Sequence, residues 1–390
     1  MNGVIDNKKS QTKWYSDFEI TSAESVGSGH PDKICDQIAD YILDHCLAND
    51  QNAKVACEVF ASNRLIVIGG EITTSTYVDV VQAAWSVLLK LGYTENDFTI
   101  ISNINKQSPN IAQSVIKEDN RLAAGDQGIV YGYACNETEE YLPLAYVLAN
   151  KLVYQAHKLI ETKKLLWAKY DMKSLVSLKW SNHKPQLDSV IFSIQHHANV
   201  SNEQITKDVE QLIFQPVFEQ YHLNHNYRKL INTSKEFIIG GPIADTGLTN
   251  RKLMVDSYGG LALHGGGGYS GKDPSKVDRT GAYLARWIAK NLVAAKIYSA
   301  VEVKLVYALG MTLPINISLG FHEANKYTSE QIIAAIKKTF PLDLNDVIQA
   351  LDLFKPQYAN FACFGHFGRL DLKPKWESID LADQLLKNLE

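Results

Sequence analysis

The stretch His264–Arg279, HGGGGYSGKDPSKVDR, decides between folds, because it almost spells two nucleotide-binding motifs that belong to different architectures. As a Walker A loop, G-x-x-x-x-G-K-[ST], it runs from Gly266 to Gly271 and Lys272 and then fails. Asp273 stands where a hydroxyl must bind magnesium, and a carboxylate there would face the phosphates. As G-x-G-x-x-G it matches Gly266, Gly268 and Gly271, but that fingerprint must close a strand and open a helix, and Pro274 with polar residues follows instead. Neither a P-loop fold nor a dinucleotide-binding fold is therefore expected. A bare glycine turn is the competing reading. Against it stand Lys272, Lys276 and Arg279, three cations beside backbone that can approach a ligand closely. They suit a polyphosphate held by some other architecture.

Outward from this loop, 390 residues exceed one ordinary core, so two or three domains are expected. The composition, 45% hydrophobic and 21% charged, is that of a folded globular chain. A net charge of −4 gives no general attraction to nucleic acid or anionic membrane, so anions must be bound by local clusters. No run approaches the roughly 20 apolar residues that span a bilayer, and the opening MNGVIDNKKSQTKW lacks an apolar leader, which predicts a cytoplasmic protein. The five cysteines, Cys35, Cys46, Cys57, Cys135 and Cys363, form no C-x-x-C pair and read as reduced, mostly buried small hydrophobes.

Pro31 suits the first position of a helix carrying Ile34, Ile38, Tyr41 and Ile42 at helical spacing. An acidic row, Asp32, Asp36, Asp40 and Asp44, repeats every fourth residue; the last three read as a solvated face, while Asp32 sits in the first turn beside His30. KVACEVF and RLIVIGGEI, separated by Ala61-Ser62-Asn63, read as a hairpin. A helix follows with Ser75 or Thr76 as its expected cap and Gly92 closing it. The order recurs faintly: SVIFSIQHHANVSNEQITKDVEQLIF and INISLGFHEANKYTSEQIIAAIKKTF each run from a β-rich stretch to a helix announced by Ser201 with Gln204 or Thr328 with Gln331. Three related α/β units, sheet on one side and helices on the other, are expected over about 17–115, 125–238 and 240–378. The weakly periodic stretch between the first two, about 107–125, reads as either a disordered loop or a lid.

Five polar constellations fall in loops or at element ends: ESVGSGHPDK at 24–33, GGEITTS at 69–75, KQSPNI with AAGDQG within 106–128, DMK at 171–173, and GGPIADTGLTNRK leading to the glycine loop at 240–279. Their cations suit a triphosphate; their carboxylates suit a divalent metal and an ammonium group. From about Thr21 to Arg369 the chain resembles the S-adenosylmethionine synthetase family, through GHPDKICDQIAD, VACEVF, GGEITTS, KQSPNI, AGDQG, GGPIADTGLTNRKLMVDSYGG, GGGGYSGKDPSKVDR and FGHFGR. The resemblance implies three similar α/β domains about a pseudo-threefold axis, and a homodimer, often a tetramer, with active sites between subunits. It also implies a reaction of L-methionine, ATP and water giving S-adenosylmethionine, phosphate and diphosphate. There the thioether sulfur attacks C5′ of ATP and the triphosphate is then hydrolysed, with Mg²⁺ and K⁺ as cofactors. Binding of a nucleic acid or a membrane is not implied.

Carried over by motif, the resemblance makes His30 an ATP contact that assists departure of the triphosphate, Asp32 a Mg²⁺ ligand and Lys33 a phosphate contact. Glu58 becomes the K⁺-site carboxylate, where the hairpin alone reads it as a solvent-facing strand residue. Glu71, Gln107 and Asp126 become methionine contacts, with Gln107 opening a mobile lid over 107–125. Asp171, Lys173, Phe237, Arg251, Lys252, Gly268 and Lys272 become ATP contacts, Asp245 touches both substrates, Lys276 touches methionine and phosphate, and Asp278 is a second Mg²⁺ carboxylate. His30, Asp245, Lys272 and Lys276 are the implied catalytic set. His264 and His366 read as structural histidines. The chain departs from the family pattern at Ala23, Ser28, Leu175, Lys235-Glu236, where Gly-Arg is usual, and Gly268-Tyr269, where Ala-Phe is usual. A P-loop ATPase, already opposed by Asp273, and a non-catalytic nucleotide-binding homologue, made thinkable by Glu236, are the competing functions.

Overall fold

A computed structural model describes residues 20–106, 121–181, 184–234, 236–321 and 326–390. One pattern recurs three times along the chain: a leading strand, a long helix, an antiparallel hairpin and a second helix. The first unit has β1 (Ile20–Val26), α1 (Pro31–Asn49), β2 (Lys54–Ser62) with β3 (Leu65–Thr73), and α2 (Val80–Lys90); β4 (Thr99–Asn105) then pairs parallel with β3. The second has β5 (Gly128–Cys135), α3 (Leu144–Glu161), β6 (Ala168–Ser181) with β7 (Lys184–His196), and a helical stretch α4 over 202–219; β8 (Arg228–Ile231) runs parallel to β7. The third has β9 (Gly247–Leu248), α5 (Val277–Ala294), β10 (Ala300–Tyr307) with β11 (Asn316–Phe321), and α6 (Ser329–Thr339).

The leading strand of each unit completes another unit's sheet. β1 joins the second hairpin in the order β1-β6-β7-β8, β5 joins the third as β11-β10-β5, and β9 joins the first as β4-β3-β2-β9. The exchange is cyclic, so the three units interlock. α1 packs on β2, α3 on β6 and β1, and α5 on β5 and β10, around one continuous apolar core. The short β9 pairing, Gly247 with Ala61 and Leu248 with Phe60, draws the chain at 248–252 against the start of α1.

Local signals explain the ends of these elements. Pro31 opens α1 and His30 caps it, its Nδ1 accepting from the Asp32 N–H. Asn63, at φ 52°, makes the β2–β3 turn. Thr328 and Gln331 form the full capping box of α6; Ser201 caps α4 from Gln204 N–H, but the Gln204 side chain turns to Asp208 instead. The cap of α2 is Asp79, whose carboxylate takes the N–H groups of Val81 and Gln82, and neither Ser75 nor Thr76. A carboxylate nearer the helix outcompetes those hydroxyls: that of Ser75 donates to Asp50, and that of Thr76 pairs with the Thr74 hydroxyl. All five cysteines are free and buried. Among the described residues no helix is long and apolar enough to cross a membrane.

The acidic row of α1 is not a solvated face. Asp32, Asp36 and Asp40 are 0% exposed. Each carboxylate receives backbone N–H groups from a distant loop: Leu248 on Asp32, Asn250 on Asp36, Gly271 on Asp40. Asp44, at the far end, takes those of Gln357, Tyr358 and Ala359. Loops need acceptors where they cross a core, and this row supplies them.

Candidate active site

The glycine loop is stitched to β2. Ala56 and Lys272 form an isolated antiparallel bridge, Cys57 N–H donates to Gly271 O at 2.9 Å, and Asp273 N–H donates to Val55 O at 3.0 Å. The Asp273 carboxylate accepts Val55 N–H at 2.7 Å and also binds Ser275. Burial alone would raise its pKa, but Lys276, Lys54 and these donors outweigh burial and hold it below the usual range. The residue that breaks the Walker pattern is thus the staple between loop and strand.

Above this seam opens a cavity of about 400 Å³ lined by Lys54, Glu71, Asn105, Lys106, Asp126, Lys272, Lys276 and Asp278, among others. It gathers Glu71, Asp126, Lys272, Lys276 and Asp278, five of the expected residues, from three separate segments. Lys272 Nζ lies 2.6 Å from Asp278 Oδ2, and Lys276 Nζ 3.1 Å from Asp273 Oδ2. Four lysines and three carboxylates therefore face one space, a set suited to a polyanion at one side and an ammonium at the other. The motifs assign no role to Lys54 or Lys106, although both line the cavity. Lys54 shares the face of β2 with Ala56 and Glu58, so alternation along KVACEVF was the available signal. Burial lowers the pKa of Lys54 and Asp273 opposes the shift. Gln107 and the stretch 107–120, most of the expected lid, lie outside the described residues.

A second cluster forms at the N-terminus of α1. Asp32 accepts from Lys252 Nζ at 2.6 Å, lies 3.1 Å from Arg251 Nε, and accepts Leu248 N–H at 2.9 Å. Burial would raise its pKa, but Lys252 and Leu248 hold it down. His30 is buried, and burial, then Lys252, lowers its pKa to about 3, with Asp32 opposing. The imidazole is therefore neutral, and because Nδ1 accepts the Asp32 N–H, its proton resides on Nε2 as a donor. Asp171 accepts Gly241 N–H at 2.7 Å, and burial pushes its pKa up to about 6, opposed by Gly241 and Lys173. Phe237 exchanges hydrogen bonds with His196, and the exposed Asp245 accepts Thr246 N–H at 2.9 Å. Neither His30 nor Asp32 lines the cavity, so the expected residues fall into two groups.

Three expectations change with this geometry. Lys33 is fully buried between Asp36, at 2.9 Å, and Asp256. Burial alone would lower its pKa, but these carboxylates outweigh it and hold it charged, so it neutralises the core and has no free face for a phosphate. Arg279, the third cation of the glycine loop, is 0% exposed and paired with Asp40 at 2.7 Å. Asp32 already carries two cations, so a metal there would have to displace one of them.

His264 bonds Tyr269 and Gly266, and His366 bonds Tyr283 at 2.7 Å, as structural histidines should. Glu58 accepts from the Thr249 hydroxyl on the open face of β2. A Cβ at Gly268 would lie 2.2 Å from the Asn250 side chain, so an alanine there would require Asn250 to move. Glu236 is exposed, and Lys235 lies outside the described residues.

Among the described residues no three His, Cys, Asp or Glu side chains group to hold a metal. That donor set does not make an all-protein cage, but Asp278 beside a polyphosphate fits Mg²⁺, which is commonly held by one or two carboxylates plus phosphate oxygens.

Three family models match the chain in order: the S-adenosylmethionine synthetase N-terminal domain over residues 18–112, the central domain over 121–237 and the C-terminal domain over 239–378. The S-adenosylmethionine synthase of Mycoplasmopsis pulmonis (strain UAB CTIP) is 50% identical over 369 residues, 94% of this chain and 98% of the relative. That of Mycoplasma genitalium is 47% identical over 372 residues, 94% of this chain and 96% of the relative. That of Treponema denticola is 40% identical over 389 residues, 96% of this chain and 100% of the relative.

Proposed function

The chain belongs to the S-adenosylmethionine synthetase family and forms S-adenosylmethionine from L-methionine and ATP, and from that premise we propose how its residues divide the work. The observation that carries the reading is the cavity in which Lys272, Lys276, Asp278, Glu71 and Asp126 converge. Lys272 and Lys276, with Lys54 and Lys106, take the triphosphate; Glu71 and Asp126 take the methionine ammonium. The thioether sulfur is its own nucleophile, so no triad is needed: it attacks C5′, the C5′–O bond breaks, and the triphosphate departs whole. What the protein contributes is alignment of sulfur with carbon and stabilisation of the charge that develops on the leaving oxygen. The same cations then hold the triphosphate for hydrolysis to phosphate and diphosphate.

His30 serves as a neutral Nε2–H donor to that oxygen, and Arg251, Lys252, Lys173 and Asp245 complete the nucleotide side. Asp171 and Phe237 shape the segment that carries Asp245, through Gly241 and His196. The family works with metal ions; Mg²⁺ held by Asp278 and phosphate oxygens would neutralise triphosphate charge, and K⁺ would sit beside Glu58.

The two groups of residues join when two copies of the chain pair, the cavity of one facing the His30 cluster of the other. Support comes from the open face of the β4-β3-β2-β9 sheet, where Leu248, Phe60, Val67 and Ile101 stand in register across all four strands. Phe60 and Leu248 are 39% exposed and Ile101 50%, an apolar row that a monomer would leave in water. A homodimer, or a tetramer built from it, covers that row. The test is incubation with ATP, methionine, Mg²⁺ and K⁺ and mass detection of S-adenosylmethionine. Product from the native chain and its loss in Lys272→Ala are expected; full product formation by Lys272→Ala would sink the role assigned to the cavity.

A further inference from the structure

A buried ion pair holds the backbone that carries Lys272. Asp40, on the third turn of α1, accepts Gly271 N–H on Oδ1 at 2.8 Å. Arg279 Nη2 donates to both oxygens of the same carboxylate, at 2.7 and 2.8 Å, while Nη1 donates to the carbonyl of Lys272 at 3.2 Å. The peptide group before Gly271 and the one after Lys272 are therefore tied to one salt bridge, which brackets the Gly271–Lys272 pair. That bridge is 0% exposed on both partners and has the Tyr358 ring 4.4 Å from the guanidinium carbon. The room for adjustment is small: Gly271 has φ +78°, and a Cβ there would lie 2.0 Å from Cys57 O. A neighbouring device acts in parallel. Asn250, whose N–H is held by Asp36, pairs its amide with Ser270 N–H at 2.9 Å and Ser270 O at 3.1 Å.

We propose that Asp40 and Arg279 are positioning residues for Lys272, acting through the backbone of the glycine loop rather than on the substrate. The inference rests on the reading of Lys272 as the triphosphate contact. Asp44 is the internal contrast: one turn further along α1, it receives the N–H groups of Gln357, Tyr358 and Ala359, and it reaches Arg279 only at one remove, through the Tyr358 ring. A side chain that only stabilises the fold should behave like Asp44; one that aims Lys272 should lose its effect once the Lys272 ammonium is gone.

The experiment is a double-mutant cycle on the full-length chain with ATP, methionine, Mg²⁺ and K⁺. Arg279→Lys keeps a buried cation but loses the planar fork that reaches Asp40 and the Lys272 carbonyl together. It is expected to lower kcat about tenfold or more, with KM for ATP within about threefold, because a small misplacement of a group acting in the transition state is felt in kcat. In a Lys272→Ala background the same change should cost less than about twofold. Asp44→Asn is expected to lower thermal stability, with kcat close to wild type and no coupling to Lys272. A full Arg279→Lys loss that persists in Lys272→Ala, or wild-type turnover by Arg279→Lys, overturns the proposal. Undiminished kcat in Lys272→Ala alone would instead refute the role of Lys272. If Arg279→Lys does not fold, Asp40→Asn, which keeps an acceptor for Gly271 N–H, takes its place in the cycle. Failure of both to fold would make the pair scaffold alone and also overturn the proposal.

Discussion

Lys276 and Arg279 stand three residues apart on the same turn of chain, and Lys33 and Lys272 belong to motifs of the same family, yet the members of each pair meet opposite fates. Lys33 and Arg279 are fully enclosed against Asp36, Asp256 and Asp40. Lys272 and Lys276 keep about a fifth of their side chains in solvent and face an open cavity. A positive charge in a cation-rich motif is available to a ligand only where its counter-carboxylate does not already enclose it. The buried line along α1 holds loops in register, and the open line is left free to meet a ligand.

The largest test of this contrast is stability. Lys33→Met leaves Asp36 and Asp256 without their shared buried cation and should cost about 3–5 kcal/mol, whereas Lys272→Ala, at a pair with both partners partly exposed, should cost no more than about 1 kcal/mol. Urea unfolding of the two variants decides it; equal small losses would erase the distinction. Activity should show the reverse. Lys272→Ala is expected to fold with a melting temperature within a few degrees of wild type and to lose about 10²–10³ in kcat, the range for removing one preorganised charge partner in a transition state. Methionine binding by calorimetry should change far less, and an equal loss in both would reduce Lys272 to a substrate holder.

A finer test concerns the contact between the two loops. Gly268→Ala should destabilise by about 1–3 kcal/mol, because its Cβ overlaps Asn250, and Asn250→Gly should recover most of that cost in the double variant. Additive losses in thermal melts would show that the loops do not meet there.

The smallest effect is in pH. The pKa of His30 is depressed by burial from 6.5 to about 3, so the unfolded chain binds a proton that the folded chain refuses. Its contribution to stability is present above pH 6.5 and is lost as pH falls toward 3. Between pH 6.5 and 5 the loss is on the order of 2 kcal/mol, and it should be absent in His30→Gln. An NMR titration in which the His30 ring protonates near pH 6.5 would contradict this.

Much of the local structure was legible in the sequence. Pro31, the β2–β3 turn and the Thr328 box are set by neighbours within a few residues, and the threefold recurrence showed as an order of strands and helices. Two things were not legible. Strand exchange pairs Ile20 with Lys179 and Gly128 with Tyr307, and no local periodicity names a partner so distant. The acidic row of α1 has the spacing of a solvated face, and only the loops that reach it, at 248–250 and at 271, turn it inward. For the site, the cavity residues Glu71, Asp126, Lys272, Lys276 and Asp278 were all named from motifs. Lys33 and Arg279 carried the same signal, since burial is a property of the partner and not of the motif.

If two copies of the chain complete each other's half-sites, mixing two inactive variants should restore turnover. Lys272→Ala and His30→Asn are each expected to be nearly inactive alone. Unfolded together and refolded as a mixture, they should recover about a quarter of wild-type turnover, because half of the randomly formed dimers pair one of each and one of the two sites in such a dimer is intact. No recovery, with mixed dimers shown to form, would place the whole site within a single chain and contradict the account.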